Sequence, residues 1–155
     1  MSVAELIDQY AAGPALIRQA VAGMSREQAV ARPISGKWSS LEVVSHLADF
    51  EVVYVDRLTA ILAEDEPNLP GRDERKYAAR LAYQQRDLEE ELKLIDLCRS
   101  RATRILRSLG AADFARRGIH TEAGPLTLEQ LLVRIVNHIQ HHVKFIYDKR
   151  VALGI

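Results

Sequence analysis

The sequence predicts an all-α protein: a four-helix bundle with one short extra helix. Three observations carry that expectation. Four long stretches repeat apolar side chains at helical spacing. At four places a Ser or Thr is followed three positions later by Glu or Gln, the capping-box signature of a helix start. No stretch alternates apolar and polar residues convincingly enough to read as a strand. With 155 residues, 48% hydrophobic and 27% charged, the chain can bury a real core as a single domain over 1–155.

The elements follow in order. Ser2 with Glu5 starts the first long helix, whose apolar face is Leu6, Ile7, Tyr10, Leu16, Ile17 and Val21. Gly13-Pro14 should kink or split it, because proline removes a helical N–H and its ring crowds the preceding turn. Gly23 ends it. Ser25 with Gln28 caps the short extra helix, which stops before Pro33. After the loop Pro33–Lys37, the second long helix opens with Trp38 at N′, Ser39 as N-cap, Glu42 at N3 and Val43 at N4. That combines a capping box with a hydrophobic staple. This helix runs to about Ala63, and His46 lies in the middle of its apolar face, one turn from Val43 and Phe50.

Glu64 to Asp73 holds two prolines and a glycine and reads as a crossover loop. A third helix, broken near its start, is expected over about Glu74–Leu109, with Gly110 as its stop. Residues 111–125 read as irregular and contain His120. The fourth helix repeats the staple and box of the second, with Leu126, Thr127, Gln130 and Leu131, and should end near Leu153-Gly154. The crossovers after the second and third long helices exceed what a minimal up-down bundle needs, which leaves room for a site at one end.

Composition excludes several function classes. Lys+Arg and Asp+Glu both number 21, so no net charge draws the chain to nucleic acid or to a membrane surface. No apolar run approaches the roughly 20 residues of a membrane span. The N-terminus carries an early acid and no basic segment, unlike a secretory signal. Cys98 is the sole cysteine, which rules out an intramolecular disulfide and fits a reducing cytoplasm. Its apolar neighbours mark it as a core or boundary residue.

The chemistry concentrates in two places. Asn137 to Val143 holds three of the five histidines. His138 and His142, four apart, share a face of the fourth helix and fall along its apolar stripe, while His141 falls off its centre. One inward histidine is ordinarily a hydrogen-bonded core residue. His46, on a second apolar face, turns the pair into a candidate metal site, provided the second and fourth long helices are neighbours. Neutral imidazole ligates zinc or nickel readily, and iron or manganese as well, so one divalent transition-metal ion is the expected cofactor. Three protein ligands leave open positions for water or a small-molecule substrate. Asp49 and Glu42, near His46 on the same helix, are candidate orienters or bases, with Glu42 also claimed by its capping box. The zincin His-Glu-x-x-His pattern, the nucleophile elbow and the glycine-rich phosphate loop are absent.

These residues also carry a resemblance. Arg32-Pro33, Gly36-Lys37-Trp38-Ser39, Glu42 through Asp49, Glu51 and Arg57-Leu58 resemble the second-helix signature of the DinB/YfiT-like superfamily. Gly124-Pro125-Leu126-Thr127-Leu128-Glu129, followed by His138-x-x-x-His142, is similar to that family's entry to its fourth helix and second metal motif. The resemblance implies an up-down-down-up bundle, often a homodimer, with one divalent ion held by His46, His138 and His142. It departs at Phe145, where many members carry Gln, and His141 matches a variable position. It further implies a thiol-dependent S-transferase using a low-molecular-weight thiol, ahead of a metal-dependent hydrolase. The alternative of another class is a non-enzymatic bundle with a structural ion and a protein partner.

Overall fold

The computed structural model describes residues 2–155. Four long helices, α1 (Val3–Val21), α3 (Ser40–Ala63), α5 (Leu88–Arg107) and α6 (Leu128–Leu153), form the bundle. The short helices α2 (Arg26–Val30) and α4 (Glu74–Arg80) lie in the connections. All four expected capping boxes are formed, at Ser2, Ser25, Ser39 and Thr127. Each side-chain oxygen accepts an N–H that the helix itself leaves unpaired, so sequence positions alone placed these starts correctly.

Side-chain pairs give the helix directions. Asp8 meets Arg107 and Arg18 meets Glu89, so α1 and α5 run antiparallel. Asp49 meets Arg86, and Glu51 meets Arg99 farther along, so α3 and α5 run parallel. His46 meets His142 while Tyr54 meets His138, so α3 and α6 oppose each other. Gly13 lies against Ile139, and Ala20 accepts a hydrogen bond from Arg150, so α1 and α6 run together. The order is up-down-down-up. Parallel neighbours α3 and α5 require a connection that returns along the bundle, and the crossover carrying α4 supplies it.

One expectation is met and one is corrected. The third helix is broken near its start, as expected: it comes as α4, a 3₁₀ turn at Tyr83–Gln85, and α5, with Asp73 and Asp87 as separate N-caps. The segments read as loops hold a small sheet. β1 (Asn68–Leu69) pairs parallel with β2 (Arg117–His120), which pairs antiparallel with β3 (Gly124–Thr127). Strands of two and four residues are too short to show alternation in sequence. Gly118 lets β1 approach: a Cβ there would lie 2.9 Å from a Leu69 methyl group.

Pro14 does not split α1, which stays helical through Val21. Proline deprives the Tyr10 carbonyl of its helical N–H. The Arg99 guanidinium donates to that carbonyl at 2.8 Å instead. Arg99 also stacks 4.0 Å from the Tyr10 ring centre and pairs with Glu51 at 2.7 Å. This buried polar group separates two apolar clusters. One gathers Leu6, Tyr10, Leu58, Leu106 and Ile135; the other gathers Ile17, Val44, Leu47, Ile95 and Ile146.

Candidate metal centre

The antiparallel packing of α3 on α6 brings His46, His138 and His142 together. One ring nitrogen from each lies within 4.8 Å of the other two. His46 Nε2 is 3.0 Å from His138 Nε2, although the residues are 92 positions apart. The third ring closes the group, with centroid separations of 4.7 Å from His142 to His46 and 4.6 Å to His138. Spacing explains this: His138 and His142 occupy successive turns of α6, and the capping box at Ser39 sets where α3 begins and therefore which residue faces them.

Aromatic side chains wall the cluster. Trp38 stands 5.2 Å from His46 and Phe50 stands 4.5 Å from it, while Tyr54 lies 5.4 Å from His138. Burial in this wall pushes His46 down to about 4 and His142 down to about 3. His138 falls to about 2, chiefly through burial and then through the neighbouring His142 and His46. All three rings are therefore neutral at neutral pH, with lone pairs available.

A divalent ion fits this donor set. Two neutral Nε2 atoms at 3.0 Å can share only one proton, and a nitrogen of His142 converges on the same point. Buried unpaired polar atoms cost about 1–3 kcal/mol each. A cation accepting three imidazole lone pairs would satisfy the convergent nitrogens.

Asp49 and Glu42 have other partners. The Asp49 carboxylate receives Arg86 at 2.8 and 3.1 Å. Glu42 receives the Ser39 N–H, the Arg32 guanidinium and Gln84. Burial works against its ionisation, but these hydrogen bonds overcome that and hold its pKa below the usual value. Neither carboxylate reaches a histidine Nδ1, since His46 Nδ1 has no partner. His120 ends β2 and accepts the Glu122 and Ala123 N–H groups on Nδ1, outside the cluster. His141 is exposed, 5.3 Å from the His142 ring, and also outside it. Phe145 packs its ring 4.7 Å from His141 and 5.8 Å from His142.

Sequence reading missed Glu74. Its Oε2 lies 3.9 Å from His46 Nε2. The acid sits at the first position of α4, where it reads only as a favourable charge at a helix start. No periodicity could have shown that the crossover passes over His46.

Known proteins resemble this chain in sequence and in fold. The family model of the DinB superfamily matches residues 9–146. A Bacillus licheniformis protein named "Putative metal-dependent hydrolase" is 32% identical over 142 residues, covering 91% of this chain and 81% of its own. Bacillus subtilis YfiT, which carries the same name, is 30% identical over 142 residues, covering 91% and 80%. The solved structure of YfiT, described as having "an unusual four-helix bundle topology", superposes with a TM-score of 0.92 at 28% identity, covering 99% of this chain and 90% of that one. A mycothiol-dependent maleylpyruvate isomerase shares the fold alone, with a TM-score of 0.73 at 10% identity over 92% of this chain and 60% of its own. The match across most of the sequence, together with the bundle it folds into, establishes that this chain belongs to the DinB superfamily.

Proposed function

We propose that this protein is a divalent-metal-dependent enzyme, with His46, His138 and His142 as the ion's protein ligands and hydrolysis as its reaction class. The observation that carries the reading is the convergence at one point of three neutral imidazoles, two buried and His138 half-buried. A bound divalent ion would supply Lewis acidity there, lowering the pKa of a water toward 7 or stabilising a thiolate. The chain's own residues do the rest. The helix framework fixes the three rings before any ligand arrives, and Trp38, Phe50 and Tyr54 limit water on the buried side. The names of the sequence relatives favour hydrolysis over thiol transfer.

Thiol transfer is the second reading, favoured by the aromatic walls, which suit an apolar electrophile held beside a low-molecular-weight thiol. A homodimer, a cytoplasmic setting and a small-molecule substrate belong to the same proposal. Elemental analysis of purified wild type should find about one zinc, nickel, iron or manganese ion per chain, and His138→Ala should lose it. Turnover of activated esters and amides without thiol supports hydrolysis. Conjugation that requires added thiol supports transfer. A wild type that holds no ion under any loading condition sinks both readings.

A further inference from the structure

We infer that Glu74 is the fourth metal-directed side chain of this centre: a carboxylate delivered by the crossover to offset the ion's charge. The inference rests on the metal-dependent reading and adds to it a residue from outside the long helices.

Glu74 Oε2 stands 3.9 Å from His46 Nε2, too far for a hydrogen bond but directly beside the cluster. Among the described residues Glu74 has no other ion-pair partner and no side-chain hydrogen bond. The buried acids of α3 and α5, and Asp49 beside them, are engaged elsewhere. Glu42 is held by Arg32, Asp49 and Glu91 by Arg86, and Glu51 by Arg99. A carboxylate with no basic side chain paired to it therefore lies beside His46, at the edge of the three-histidine group.

Three imidazoles bring no charge, so they alone would leave a dication uncompensated against an aromatic wall. Placing a charge in such surroundings is costly unless an opposite charge accompanies it. Glu74 supplies one negative charge on the side the crossover covers. It lies outside the tight three-histidine group, so its role is to position and compensate from beside the ligands. Its exposure of 54% leaves that side accessible to substrate. α4, which carries it, buries none of its own residues, so the helix contributes little core. It does place Tyr77 5.6 Å from Phe50, which fixes α4 at the level of the cluster.

An acid in a first helical turn also favours the helix on its own account. Glu74→Gln separates the two roles, with Glu129→Gln as a charge control in the first turn of α6. Zinc affinity is measured by competition with a chromophoric chelator, and the absorption spectrum of the cobalt-loaded protein is recorded alongside. Wild-type affinity should fall by about 10–100-fold in Glu74→Gln and hold in Glu129→Gln. The metal-free melting temperature of Glu74→Gln should match wild type, and the cobalt spectrum should change. Affinity within about twofold of wild type overturns this inference while leaving the three-histidine site standing. So does a weakening that only tracks a lower metal-free melting temperature. A wild type that takes up no zinc overturns the metal reading and this inference with it.

Discussion

His46, His138 and His142 are neutral because they are buried, and that couples folding to pH. In the unfolded chain each histidine takes up a proton near the ordinary imidazole value of about 6.5, whereas burial holds the three in the fold at about 4, 2 and 3. Below 6.5 the unfolded state binds more protons, so stability falls with falling pH. The contribution is full above that value and is lost progressively as pH falls through 4 and on to about 2, where the last folded ring takes up its proton. Circular-dichroism melts of metal-free protein from pH 8 to 5 should show the loss beginning near 6.5. His142→Gln should melt with a shallower pH slope; an unchanged slope would mean that another group sets it. The three clustered histidines were legible because four-residue spacing and an apolar face are properties of sequence. The roles of Asp49 and Glu42 were not, because nothing local shows that Arg86, 37 positions from Asp49, engages that carboxylate.

At the scale of elements, α1 is held together by a residue of α5. Gly13-Pro14 was visible as an interruption, but its outcome depends on Arg99, which donates to the carbonyl that Pro14 orphans. Arg99 is 2% exposed and its partner Glu51 equally so. Removing one member of a buried pair leaves the other charge uncompensated, at about 3–5 kcal/mol. Arg99→Leu is therefore expected to lose about that much in urea unfolding, and also to weaken α1 at Pro14. Gly13 tests the same contact from the other side. Alanine ordinarily favours a helix over glycine by about 1 kcal/mol. Here its Cβ would come 2.9 Å from the Ile139 Cδ1 methyl and 3.1 Å from Arg99 Nη1. Gly13→Ala should thus destabilise by about 1–3 kcal/mol, as overpacking does. A gain in stability would show that α1 and α6 have slack at this crossing, one residue from His138.

For the whole molecule, the question is whether the ion makes the fold or only uses it. The two apolar clusters draw residues from all four long helices on either side of the Glu51–Arg99 layer, and none of their members is a candidate ligand. Helix count and the long crossovers were readable from caps and breakers. The parallel pairing of α3 with α5 came only with the family resemblance, because it is set by contacts such as Glu51–Arg99 between distant positions. With its core independent of the site, the metal-free protein should remain folded at 25 °C. Metal should then act by linkage alone, adding about 2.7 kcal/mol when free ion stands at 100 times its dissociation constant. Differential scanning calorimetry with chelator and with graded zinc should show one cooperative transition in each case, moving upward with zinc. Unfolding on chelation would instead assign the ion a structural role and favour the non-enzymatic bundle. A folded metal-free state with a zinc-dependent shift is what a site built on an already stable framework requires, and His138→Ala should abolish the shift while leaving the transition cooperative.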